Sequence, residues 1–177
     1  LTTGLPVSLT VLNKGYTRTG DKGQTQILGL GKVWKDSPRV EAYGTVDELV
    51  AVIGLSRAFI RDPVTNRILK RIQEDLFILS ADLATANTTG RLRRGSMLLR
   101  VEWGMVERIE KDIDRCVSRL KPVEGFIIPG RGLSSALLHF ARAVARRAER
   151  RVVMLAKREK VNDQILAYLN RVSSLFF

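Results

Sequence analysis

The sequence predicts an all-α protein, an up-and-down five-helix bundle with an irregular N-terminal arm. Two observations lead there. Five segments repeat apolar residues at three- and four-residue steps, and no series of segments alternates apolar with polar residues as half-buried strands do. The composition agrees: 177 residues, 45% apolar and 27% charged, with 14 Gly and 5 Pro, make one ordinary domain (1–177) rather than a disordered, collagenous or modular chain. A chain of this length buries roughly 70% of its unfolded surface, enough for a core without disulfide staples.

Residues 1–36 form the arm. They are rich in Gly, Thr and Lys, lack helical periodicity, and offer at most one short extended piece, from Gln24 to Leu30. Ser37-Pro38 opens the first helix, a capping side chain followed by a proline at the first turn. Val40, Tyr43, Val50, Ile53 and Leu55 carry it to Phe59 and Ile60, and Arg61-Asp62-Pro63 stops it. Val64, Ile68, Ile72, Leu76, Leu79 and Leu83 mark a second helix to about Thr85. Ala86 to Gly95 has the Asn, Thr, Gly and Arg content of a linker.

A third helix is expected from about Ser96, with Met97, Val101, Met105, Ile109, Ile113, Val117 and Leu120 in register until Lys121-Pro122. The loop from Val123 to Gly132 displays the apolar triplet Phe126-Ile127-Ile128 beside Pro129 and Gly130. The fourth helix runs from about Ser134 to at least Ala156. The fifth carries Ile165, Leu169, Val172 and Phe176.

Several chemistries are excluded by residue type. Cys116 is the single cysteine and His139 the single histidine, so no internal disulfide, no zinc cluster and no Glu-x-x-His pair of a di-iron bundle is available. Cys116 reads as a packing residue. His139 reads either as structural or as a donor to a bound group. Leu1 to Leu12 lacks the basic start and cleavage site of a signal peptide, and no run approaches the roughly 20 apolar residues of a membrane span, so a cytoplasmic protein is expected, without membrane contact. Thirty Lys plus Arg against 18 Asp plus Glu leave a net charge of +12, which makes a polyanionic partner the first question.

Two stretches answer it. In Tyr16-Thr17-Arg18-Thr19-Gly20-Asp21-Lys22-Gly23-Gln24-Thr25, glycines three apart let backbone N–H groups approach an anion, threonines offer hydroxyls, and Arg18 and Lys22 offer charge. This is not a Walker loop, because Gly20 is followed by Asp21 rather than Lys. An ordinary solvated turn accounts for it about equally well.

In the fourth helix, at about 100° per residue, Arg142, Arg146 and Glu149 share one polar face, with His139 and Arg150 at its edge. Leu137, Ala141, Ala145, Ala148, Val152 and Leu155 fill the adjoining core-facing sector. Guanidinium forks beside a packed face suit bidentate phosphate contacts. A solvated basic face is the plainer alternative. Arg147 and Arg151 point away, toward solvent or a subunit contact, and Asp47 and Glu48 are acidic partners within reach of the stripe.

Taken together, Tyr16-Thr-Arg-Thr-Gly-Asp-Lys-Gly23, Arg39-Val-Glu-Ala-Tyr-Gly-Thr-Val-Asp-Glu-Leu49, Phe126-Ile-Ile-Pro-Gly130, the stretch His139 to Val153 and Tyr168-Leu-Asn-Arg171 resemble the PduO-type ATP:cob(I)alamin adenosyltransferase family, from about Tyr16 to Phe176. The resemblance implies a ferritin-like bundle, assembled as a homotrimer with ATP and the corrinoid held between subunits. It also implies transfer of the 5′-deoxyadenosyl group of ATP to the cobalt of cob(I)alamin, with release of triphosphate. Cobalt(I) is itself a strong nucleophile, so no side-chain nucleophile is required.

Carried over by motif, Thr17, Arg18, Thr19, Gly20, Asp21, Lys22, Gly23, Thr25, Gln26 and Lys35 are expected at the phosphates. Arg146, Arg147, Glu149 and Arg150 complete the site from a neighbouring subunit, and Asn170 contacts the nucleoside. Asp47 and Arg142 resemble the family's intersubunit ion pair. Phe126 resembles the aromatic that displaces the lower axial ligand of cobalamin. Catalysis is thus expected to rest on Arg146, Arg142, Asp47 and Phe126, and Mg²⁺ to enter with the triphosphate rather than through protein ligands.

A reductase and an adenosylcobalamin-dependent enzyme are the further partners to expect. The chain departs from the family pattern at Gly130-Arg131-Gly132, where paired glycines are common, and at Val172-Ser-Ser. It also ends at Phe177, where relatives often continue into a segment that helps close the corrinoid pocket. Two rival readings are a basic helical nucleic-acid-binding module, disfavoured by the lack of stacking aromatics and reader motifs, and a non-catalytic adenosylcobalamin carrier.

Overall fold

A computed structural model describes residues 16–27, 29–85, 99–121 and 125–177. Five helices follow a β-hairpin: β1 (Gln24–Ile27), β2 (Gly31–Trp34), α1 (Pro38–Phe59), α2 (Pro63–Leu83), α3 (Trp103–Val117), α4 (Leu133–Ala156) and α5 (Asp163–Leu175). The all-α bundle is as expected, but the arm is more regular than expected. It holds two antiparallel strands in the register Gln24↔Trp34 to Ile27↔Gly31, closed by a bend in which Gly29 and Gly31 both have positive φ. Glycine supplies that conformation without strain.

α1 packs on α4 and α2, α4 on α5, and α5 on α3, so the helices run α2-α1-α4-α5-α3 around the core. α4 buries Ala141, Ala145 and Ala148, small residues that let neighbouring helix axes approach closely. The expected stripes are buried from Ala141 to Leu155 on α4 and from Ile165 to Phe176 at α5, with Leu137 half-buried; on α2 the stripe holds from Ile72 to Leu83, but Val64, expected to begin it, is exposed, and Leu69 is buried where Ile68 is only half-buried.

On α1 the buried apolar stripe is Ala42, Val46, Leu49 and Ile53, continued by Ser56 and the C-cap Ile60; of the expected series Ile53 and Ile60 belong to it, while Val40, Tyr43 and Val50 are half-buried. Leu55 and Phe59 are exposed. The misreading has a physical origin, because small Ala42 and polar Ser56 occupy core positions that a search for large apolar residues passes over. Ser56 is accommodated because its hydroxyl donates to the Val52 carbonyl one turn back, 2.9 Å away.

Two helix starts also differ. Pro38 is the first residue of α1, yet the Ser37 hydroxyl makes no capping bond, and Asp62 and Asn162 are the residues that cap, on α2 and α5. α3 begins at Trp103 rather than near Ser96; Ser96, Met97 and the linker of residues 86–95 lie outside the described residues. Val101 is buried but not helical. Its N–H donates to Asp82 Oδ2 at 3.0 Å and its carbonyl accepts from Asn162 Nδ2 at 2.9 Å, so both of its backbone groups are claimed before a helical turn forms. Asp82 also receives Arg100 and Asn162, which pins the ends of α2 and α5 to the entry of α3. Val117 and Leu120, at the far end of the α3 series, are exposed, and Cys116 is exposed rather than packed.

Candidate functional site

The arm is a sequence of tight turns. The Gly23 N–H donates to the Gly20 carbonyl at 3.1 Å, and the Lys35 N–H donates to the Gly23 carbonyl at 2.9 Å, so the turn and the end of β2 lie side by side. Gly20 lacks a side chain where one would meet Lys35 Nζ at 3.0 Å. The absence of a Cβ is what allows the ammonium to lie across the turn. Gly23, at φ +77°, rests on the Trp34 ring. The Thr17 and Thr19 hydroxyls share a hydrogen bond of 2.8 Å, and Arg18, at φ +57°, stacks over Tyr16.

Thr25 and Gln26 are neighbours on β1, and adjacent strand residues face opposite sides. Gln26 is exposed. Thr25 hydrogen-bonds Tyr43 of α1; burial raises the Tyr43 phenol above its ordinary pKa, and the Thr25 bond opposes that shift. This contact seats the hairpin on the bundle and was not visible in the sequence. Asp21 and Lys22 are exposed on the turn.

On α4 the stripe forms as spaced. Arg146 and Arg150 are exposed and without an acidic partner among the described residues, and together with Glu149 and Val153 they line a shallow groove. Glu149 accepts from Asn170 Nδ2 at 3.1 Å, which joins two of the expected nucleotide contacts from different helices. Asn170 Oδ1 in turn accepts from Arg171 at 2.8 Å, which fixes the orientation of the amide. Arg147 leaves this face and pairs with Glu48, and Arg151 pairs with Glu41 at 3.1 Å, so both tie α4 to α1.

Arg142 is half-buried, with its guanidinium 5.7 Å from the Phe177 ring and its Nε buried without an acceptor. His139 meets the same ring edge-on, and its Nδ1 is likewise unpartnered. Asp47 is exposed on α1. Among the described residues neither Asp47 nor Arg142 has an ion-pair partner, and no hydrogen bond or ion pair joins the arm to the α4 stripe. Phe126 and Ile128 stand almost wholly in solvent, at 106% and 89% exposure, a cost that a ligand or second chain would remove.

One chain therefore carries a cationic turn and a cationic helix face that no hydrogen bond or ion pair joins among the described residues, and an exposed apolar loop. A match to the cobalamin adenosyltransferase family model covers residues 15–177, so the chain belongs to that family. Among relatives, it is 40% identical over 162 residues to the corrinoid adenosyltransferase PduO of Salmonella typhimurium, covering 92% of this chain but only 47% of that one. It is 43% identical over 169 residues to the corrinoid adenosyltransferase of Bacillus subtilis, covering 93% of this chain and 83% of the relative. A variant of the PduO-type ATP:corrinoid adenosyltransferase from Lactobacillus reuteri, solved with cobalamin and ATP, superposes with a TM-score of 0.83 at 38% identity over 93% of this chain and 90% of that one. The family match favours neither the nucleic-acid module nor the carrier.

Proposed function

We propose that this protein transfers the 5′-deoxyadenosyl group of ATP to the cobalt of cob(I)alamin, forming a cobalt–carbon bond at C5′ and releasing triphosphate with the electron pair of the broken C–O bond. The observation that carries the reading is the pair of unpartnered cationic surfaces, one on the Thr17–Lys35 arm and one at Arg146 and Arg150, within a chain that matches the family from residue 15 onward. Each surface is half of a polyphosphate site, and a second protomer supplies the other half.

The chemistry assigned to the protein is positioning and charge. The leaving group carries about four negative charges, and preorganised donors aimed at such a group typically contribute a few kcal/mol each. Lys35 over Gly20, the Thr17–Thr19 hydroxyls and the turn N–H groups hold the phosphates. Arg146 and Arg150 neutralise the departing chain, and the Glu149–Asn170 pair orients the nucleoside. Asp47 and Arg142, each unpaired in its own chain, pair across the interface of a homotrimer and bring the two halves together. Phe126 covers the lower face of the corrinoid and keeps it free of an axial ligand. Arg147, committed to Glu48, contributes less directly to nucleotide binding than its neighbours.

Magnesium enters as a companion of the phosphates, where it adds charge neutralisation. No described helix is long and apolar enough to cross a membrane. A cytoplasmic setting, with a reductase supplying cobalt(I) and an adenosylcobalamin-dependent enzyme taking the product, completes the reading. Purified protein mixed with ATP, Mg²⁺ and chemically reduced cobalamin is expected to give the absorbance change of adenosylcobalamin formation. A folded protein that forms none contradicts the proposal.

A further inference from the structure

α2 and α3 are bridged by the buried carboxylates of Asp75, paired with Arg108, and Asp112, paired with Arg71. A cleft of about 390 Å³ lies where the first turns of α2 meet the end of α3, and it is lined by four arginines, Arg67 and Arg71 of α2 with Arg115 and Arg119 at the end of α3. That volume falls within the roughly 300–1,000 Å³ of small-molecule sites.

Asp112 is the single carboxylate in the cleft, and it is buried at 3% exposure, with Arg71 on Oδ2 and Arg115 on Oδ1. Its charge is thereby shared between two guanidiniums. Arg67 and Arg119 have no acidic partner among the described residues, and Arg71 Nε is buried without an acceptor. The lining therefore carries three uncompensated positive charges. Arg115 also complements the carbonyl end of α3, a sufficient structural reason for a cation there. Arg119, just past that end, complements it too, whereas Arg67 has no such reason, and an anion joining the four guanidiniums relieves their mutual repulsion.

We propose that this cleft binds a polyphosphate chain at a site separate from the nucleotide site on α4. Guanidinium forks recognise phosphate oxygens bidentately, and forks arranged two by two across a cleft call for several phosphate centres rather than one. Val64 and Ile68 form an apolar wall beside the arginines, on which a nucleoside base can rest. Both free triphosphate and a nucleoside triphosphate share this chemistry. An acidic polypeptide fits less well, because each helix offers only two arginines and the cleft is short.

The test is titration calorimetry of the full-length chain at fixed ionic strength, with inorganic tripolyphosphate and ATP as separate probes. Arg146→Ala is expected to retain a tripolyphosphate site. Arg67→Ala/Arg119→Ala is expected to weaken that site about tenfold or more, the scale of losing a charge-assisted contact. Its adenosyl-transfer rate with ATP and reduced cobalamin should be unchanged, which separates this proposal from the one on function. Lys157→Ala/Arg158→Ala, which removes the same charge elsewhere, is expected to leave the affinity alone.

When Arg67→Ala/Arg119→Ala is added to Arg146→Ala, a greater loss of ATP affinity than of tripolyphosphate affinity supports a nucleotide as occupant, and equal losses support the free chain. Equal weakening in the two double variants, an unaltered Arg67→Ala/Arg119→Ala, or binding of a short poly-glutamate peptide in place of tripolyphosphate would overturn the proposal.

Discussion

Arg146 stands exposed on α4 with no carboxylate beside it, whereas its neighbour Arg147 is committed to Glu48. The free guanidinium is the one assigned to the triphosphate in the proposed reaction. Arg146→Ala is expected to lower kcat/KM for ATP about 100-fold, as loss of one preorganised donor does. Arg158→Ala, beyond the end of α4, should stay within about twofold of wild type. Steady-state kinetics at saturating cobalamin check this, and equal effects count against the stripe. Gly20 allows a second test. A methyl group there meets the flexible end of Lys35 rather than a rigid wall, so Gly20→Ala should keep the fold and melting temperature while raising KM for ATP about tenfold.

At this scale the arm and the stripe were legible because residue type and spacing carry the chemistry: glycines three apart, arginines four apart. Glu149–Asn170 and Thr25–Tyr43 were not, since each joins residues from different elements and only the fold creates the pair. Cys116 was misplaced because its position in α3 says nothing about what covers that face.

Among the elements, helical periodicity placed α2, α4 and α5 well because their buried faces are nearly all large aliphatics or alanines in phase. It failed at the start of α3, where Val101 keeps the phase while Asp82 and Asn162 hold its backbone in another conformation. It also gave no sign of the buried carboxylates that lace the helices together. Asp75 of α2 is buried, accepts from Tyr168 of α5 at 2.9 Å and pairs with Arg108 of α3 at 3.3 Å.

Burial raises the Asp75 pKa above its ordinary value, and the Tyr168 and Arg108 contacts only partly offset it. A raised folded-state pKa means that the stability Asp75 contributes is complete below the unfolded value, about 3.9, and is lost as pH rises through the folded value. Melting temperatures of wild type and Asp75→Asn, compared at about pH 4 and about pH 7, should show the wild-type advantage shrinking as pH rises. A growing advantage would mean that the ion pair, not burial, governs this carboxylate.

For the whole molecule, the net charge of +12 pointed to a polyanion without saying where it binds. The fold divides that charge among separate surfaces: the arm, the α4 stripe and the α2–α3 cleft. Among the described residues no hydrogen bond or ion pair joins the two that the proposed reaction needs, and the residues proposed to join protomers, Asp47 and Arg142, have no ion-pair partner. Periodicity could show neither, because it describes one helix at a time and a contact between copies leaves no local pattern; only the family resemblance of the ordered motifs gave the expectation of a shared site. The hairpin in the arm escaped for a related reason: its strands are four residues each, too short for alternation to stand out.

The central claim is that one protomer's arm and another's Arg146 form a single site, and mixing two defective proteins tests it directly. Lys35→Ala and Arg146→Ala, each nearly inactive alone, are denatured together, refolded as mixed assemblies and assayed for adenosylcobalamin formation. A random mixture in a cyclic trimer should restore about a quarter of wild-type activity, since that fraction of interfaces unites an intact arm with an intact Arg146. Activity no greater than the average of the two separate variants, in a sample shown to contain mixed assemblies, would contradict the account.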